Sequence, residues 1–106
     1  MSDSANEGST TTLRPAERAG EALVGRDAAA DLRREIVQRL GRGEQVVLDF
    51  SGVSALSPSF ADELLAKLPP EVLDRGDVTI EHLSGGHQAL AHMVVAGRTG
   101  QSPTWS

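Results

Sequence analysis

The chain has 106 residues, and its first dozen, MSDSANEGSTTT, are too polar to join a core, so they read as a disordered leader (1–12) ahead of one small domain. Ten Lys and Arg against 15 Asp and Glu give a net charge of −5, a field that opposes nucleic acid as a partner. The absence of cysteine excludes disulfides, thiolate metal sites and a thiol nucleophile.

No basic-then-apolar signal opens the sequence, and its longest apolar runs fall far short of a bilayer span. A cytoplasmic protein with no membrane partner is the expectation. A domain of this size buries roughly 60 to 65% of its unfolded surface, enough for one sheet and a few helices. It builds a binding surface more readily than a cofactor cavity, so no cofactor is expected.

In chain order, Leu13 to Val24 carries apolar islands around Pro15 and Gly20 and predicts two short strands. Ala28, Leu32, Ile36 and Leu40 then recur every four residues, joined by Ala29 and Val37, while Arg33, Arg34 and Arg39 take other faces. This spacing predicts an amphipathic helix over 27–40, with Asp27 suited to its first turn and Gly41 or Gly43 to its stop. The run QVVLDF, 45–50, fits a strand covered on both faces. A second helix is predicted over 58–68, with Phe60, Ala61, Leu64, Leu65 and Leu68 as its apolar stripe and Pro69-Pro70 as its end. DVTIEHL, 77–83, predicts another strand, and Ser84-Gly85-Gly86 turns the chain into a last helix over 87–96 with Leu90, Met93 and Val94 inward. The domain then spans 13–97, with a flexible tail over 98–106. Strands alternating with helices imply parallel pairing through right-handed crossovers, hence a small α/β sandwich.

The junction between the central strand and the second helix, DFSGVSALSPSF, holds Ser51, Ser54, Ser57 and Ser59. Two caps compete there: Ser57, with Pro58 at the first helical position, or Ser59, with Asp62 completing a capping box. Proline has its φ preset for that first position and needs no amide hydrogen, which favours Ser57. A phosphate on Ser57 or Ser59 is the functional alternative, because free amides gather at a helix start. Asp49, at the strand end, is expected to fix the loop by accepting backbone or serine hydrogen bonds.

Other polar groups do not converge. Asp62 and Glu63 are adjacent on a helix, about 100° apart, so with Asp49 they make neither an acid–base pair nor a metal site. His87 and His92 are five residues apart and point about 140° away from each other on a helix, and with His82 they make no zinc site. Ser84-Gly85-Gly86 lacks the length and the lysine of a nucleotide loop and reads as a turn. Trp105, in the tail, either folds back onto the domain or anchors a partner.

The stretch VVLDFSGVSALSPSFADELLAKL resembles STAS domains (sulfate transporter and anti-sigma factor antagonist). It is more similar still to a bacterial STAS-like family of uncharacterised function with a DFSGV strand end before an SFADE helix start. The motif residues are Asp49, Phe50, Ser51, Gly52, Val53, Ser59, Phe60, Ala61, Asp62 and Glu63, and GRDAAADLRREI resembles the same family's first helix. The resemblance implies a mixed four- to five-stranded sheet flanked by three main helices. It also implies a protein partner: a histidine-kinase-like ATPase or an anti-sigma-type regulator. The register that aligns DFSGV with the antagonists' motif puts Pro58 at their switch serine and Ser59 just after it, and proline accepts no phosphate.

These readings converge on a non-enzymatic regulatory domain that docks a protein through Ser51, Gly52, Ser54, Ser57, Pro58, Ser59 and Phe60. The alternative is a small anion- or nucleotide-binding domain using the Asp49/Ser57 loop. Self-association as a homodimer, through an edge strand or through Met93 and Val95, is a third reading.

Overall fold

Strands and helices are interspersed along residues 9–99, the part of the chain that the computed structural model describes. The order is β1 (Thr10–Leu13), α1 (Pro15–Ala19), β2 (Ala22–Leu23), α2 (Arg26–Gly41), β3 (Gln45–Asp49), β4 (Ala55–Leu56), α3 (Pro58–Ala61) continued by a π-helical turn (Asp62–Ala66), α4 (Pro70–Asp74), β5 (Val78–Glu81) and α5 (Gly85–Thr99).

The strands form two small sheets, both parallel, rather than one mixed sheet of four or five strands. One has the order β1-β3-β5, and the other pairs β2 with β4. The cause is local. Pro15 opens a short helix directly after Arg14, and Gly20, at φ +86°, ends it, so β1 and β2 diverge instead of joining one ladder. β2 then pairs with Ala55–Leu56, a two-residue strand inside the stretch that the sequence presents as a loop. β1 takes in Thr10, Thr11 and Thr12, placed in the leader by composition alone, because β-branched residues suit an extended edge strand.

In the larger sheet, Leu13, Leu48 and Ile80 stand in register and are buried, as are Val46 and Val78 one step away. The opposite face is less covered than a continuous apolar run implies. Val47 is half-buried, and its register partners Thr12 and Thr79 are exposed. Ala29, Leu32 and Ile36 of α2 complete the core with Phe60, Leu64, Leu65 and Leu68. Val37 lies outside that stripe and is exposed.

On α5, Ala91 and Val95 face inward, four residues apart, which leaves Met93 67% exposed. The expected inward Met93 and outward Val95 are thus exchanged. Helix α5 runs past the predicted end at Ala96, to Thr99, while Trp105 lies outside the described residues.

Candidate functional site

The three parallel strands end together, and the residues at their carboxyl ends meet around one carboxylate. Asp49 ends β3 opposite Glu81, so His82 follows on one side, and Arg14 follows β1 on the other. Asp49 is only 7% exposed. Its Oδ1 accepts the Ser51 N–H at 2.9 Å, the Ser51 hydroxyl at 2.6 Å and a ring nitrogen, Nδ1, of His82 at 2.9 Å, while Oδ2 accepts Arg14 Nε at 3.2 Å. The Ser51 hydroxyl first, then the Ser51 N–H, His82 and Arg14, hold this carboxyl far below the usual range against the opposing effect of burial.

Asp49 therefore organises the loop that follows it. The Phe50 N–H donates to Glu81 O at 2.9 Å, and the Val53 N–H to Phe50 O at 3.2 Å, closing a tight turn. Gly52 sits in that turn at φ +82°. A Cβ there would meet Ala16 Cβ at an ordinary 3.6 Å, so the left-handed backbone rather than space calls for glycine.

The chain next runs beside β2. The Ser54 and Ala55 N–H groups donate to Glu21 O at 2.8 and 3.2 Å, the Ser57 N–H donates to Leu23 O at 2.9 Å, and the Ser54 hydroxyl reaches Glu21 Oε1 at 3.0 Å. Ser57, not Ser59, caps α3, with Pro58 in the first turn. Its Oγ accepts the Phe60 N–H at 3.0 Å and donates to Val24 O at 3.3 Å. The Ser57 hydroxyl is thus committed in both directions. Ser51, Gly52, Ser54 and Pro58 are exposed, and Ser57 and Ser59 are half-buried. Phe60 is 0% exposed. It anchors the helix from inside and offers no surface for a partner to touch.

Residues 28–84 match the family described as STAS-like domain of unknown function (DUF4325), a span of more than half the chain. The chain belongs to this STAS-like family. No curated protein and no solved structure matches it. The span that matches the STAS-like family carries α2 from Ala28 on, the Asp49 loop, α3 and β5, and leaves β1 and the whole of α5 outside.

The STAS-like domain also holds a polar cluster that sequence reasoning missed. In the turn after α3, the Lys67 N–H donates to Asp62 O at 3.2 Å, five residues back, and the Leu68 N–H to Leu65 O at 3.2 Å. Neither amide is left for Glu63 O. Arg33 of α2 supplies the donor: its Nη1 reaches Glu63 O at 2.5 Å and Glu63 Oε2 at 2.8 Å. The same carboxylate accepts Lys67 Nζ at 2.9 Å and Arg26 Nη1 at 3.3 Å. Arg26 Nη1 also lies 3.6 Å from Asp62 Oδ2. Asp62 therefore faces α2, and the helix that precedes it is capped by Ser57 rather than Ser59. The Lys67 ammonium, then the Arg33 guanidinium, lower the Glu63 carboxyl from an ordinary 4.5 to about 2. A signal was present: Glu63 stands three residues after Phe60 on the inward side, where a charge needs partners.

Among the described residues no group of three or more His, Asp or Glu is placed to hold a metal, and no helix is long and apolar enough to cross a membrane. His82 lies just past the end of β5, beside Asp49, whereas His87 and His92 lie on α5.

Proposed function

We propose that this STAS-like domain is a non-enzymatic regulatory module that docks another protein through the rim of Ser51, Gly52, Ser54, Pro58 and Ser59. The observation that carries the reading is how the rim is fixed. Asp49 pins one end, three amides pin the middle to the carbonyls of Glu21 and Leu23, and the Ser57 cap pins the other end. A surface already held in one shape loses little conformational freedom on association. The resemblance to anti-sigma factor antagonists supports a partner of the histidine-kinase-like ATPase or anti-sigma type.

Phosphorylation, if it regulates the rim, suits Ser59 better than Ser57. A phosphate on Ser57 breaks the bonds to Phe60 and Val24 that start the helix. The anion- or nucleotide-binding alternative draws less support. The Asp49 carboxylate already takes the Ser51 and Arg14 donors that an anion needs, and it adds a repelling charge.

A photo-crosslinking side chain placed at Ser54, and separately at exposed Val37 as a control, tests the docking. The expected result is one covalently trapped protein at position 54 and none at 37, with the purified partner binding the wild-type chain and binding a Ser59→Asp variant more weakly. Identical adducts at both positions, or none at 54, refute it. A rise in Tm on adding ATP or inorganic phosphate instead supports the ligand-binding reading.

A further inference from the structure

We propose that His82 is a phosphoryl acceptor, with Nε2 as the accepting atom and Asp49 as the residue that positions its ring. Asp49 is ionised and can only accept, so the 2.9 Å contact from His82 Nδ1 to Oδ1 is an N–H donated by the ring. In the neutral imidazole this places the one ring proton on Nδ1 and leaves the lone pair on Nε2, on the side of the ring away from the carboxylate. The side chain is 64% exposed, against 10% for that of Asp49. A buried, fixed anion therefore holds an accessible nucleophilic nitrogen in one tautomer, the arrangement by which a third group orients a reactive side chain.

The backbone agrees. His82 adopts φ +59°, and every other described residue with positive φ is a glycine. A left-handed histidine directly after a strand is an unfavourable conformation, sustained here by the ring's bond to Asp49. Asp49 in turn cannot swing away, because Ser51 holds Oδ1 and Arg14 holds Oδ2. His87 and His92 lie on α5 and are half-buried.

The step balances without a base. The Nε2 lone pair attacks the phosphorus of a nucleoside triphosphate, the N–P bond forms, the P–O bond to the nucleoside diphosphate breaks, and the diphosphate leaves with the electron pair. The proton on Nδ1 stays in place, and the ring's new positive charge sits against Asp49, with Arg14 on the same carboxylate. Delivery of that triphosphate by a docked kinase rests on the docking reading; the reactivity of His82 does not.

The test uses potassium phosphoramidate, a small donor from which ammonia leaves, so it needs no partner. Labelling of the full chain is followed by phosphorus NMR and by mass mapping at alkaline pH, where N–P bonds survive. Phosphorylation of His82 at Nε2 is expected to outpace that of His87 on the order of tenfold, because the existing Nδ1–H bond to Asp49 strengthens as the ring becomes positive in the transition state. Asp49→Asn, checked for folding by circular dichroism, should erase the excess and mix the Nε2 and Nδ1 isomers, and His82→Asn should remove the fast signal. Equal rates at His82 and His87 in the wild-type chain, or labelling of His82 at Nδ1, overturn the proposal even if the Asp49 variant fails to fold. So does an excess that survives in folded Asp49→Asn.

Discussion

Ser57 shows how much one hydroxyl decides. Its oxygen accepts the Phe60 N–H, and its proton goes to Val24 O, so a single atom joins the start of α3 to the end of β2. Ser57→Ala should cost about 1 kcal/mol, read as a lower urea midpoint at unchanged m-value. Ser57→Asp should lose less than Ser57→Ala, since aspartate is a good cap and forfeits only the bond to Val24. This cap was legible because serine before proline is a local signal: the reason lies within four residues of chain. Helical spacing put Glu63 on the inward side, but the partners of its carboxylate from α2 were not legible. What permits its burial is Arg26 and Arg33, distant in sequence and brought near only when α2 packs beside α3.

At the scale of elements, apolar spacing located α2, β3, β5 and α5 to within a few residues, because each buries a stripe that repeats at its own period. It missed the division into two sheets, which depends on where the chain turns rather than on what it buries. It also missed the π-helical turn. ADELLAKL reads as ordinary helix, and the extra residue is held in place by Arg33, which takes over the carbonyl that the widened turn releases. Arg33→Met should strand that carbonyl, at about 1–3 kcal/mol, or let the turn tighten to α-helix with the Lys67 N–H moved back to Glu63 O. Hydrogen exchange at Lys67 and through-bond NMR couplings to its amide distinguish the two outcomes. Retention of the wide turn at full stability would show that Arg33 does not hold it.

For the whole molecule, two carboxylates tie stability to pH. The Glu63 carboxyl titrates at about 2 in the folded domain and near 4.5 when unfolded, and the Asp49 carboxyl is displaced in the same direction. The unfolded chain therefore binds more protons throughout that window, so stability rises with pH. The contribution is complete above about 4.5 and is lost as pH falls toward 2. Glu63→Gln should unfold more easily than wild type at pH 7 and approach it at pH 3. Urea midpoints at the two pH values check this: a difference that stays constant would mean that Glu63 is not the titrating group. The fold class and the position of the junction were visible in the amino acids. The meeting of Arg14, Asp49 and His82 was not, since it arises only when three strands from separate parts of the chain align at one edge.

The placing of β3 between β1 and β5 bears on how the domain assembles. Each ladder joins segments separated by roughly thirty residues, and among the described residues no two strands adjacent in sequence pair with each other, so none of them forms a hairpin that could act as an early nucleus. Closing the larger sheet must await the middle segment, and β1 remains without its ladder partner until 45–49 has followed it from the ribosome.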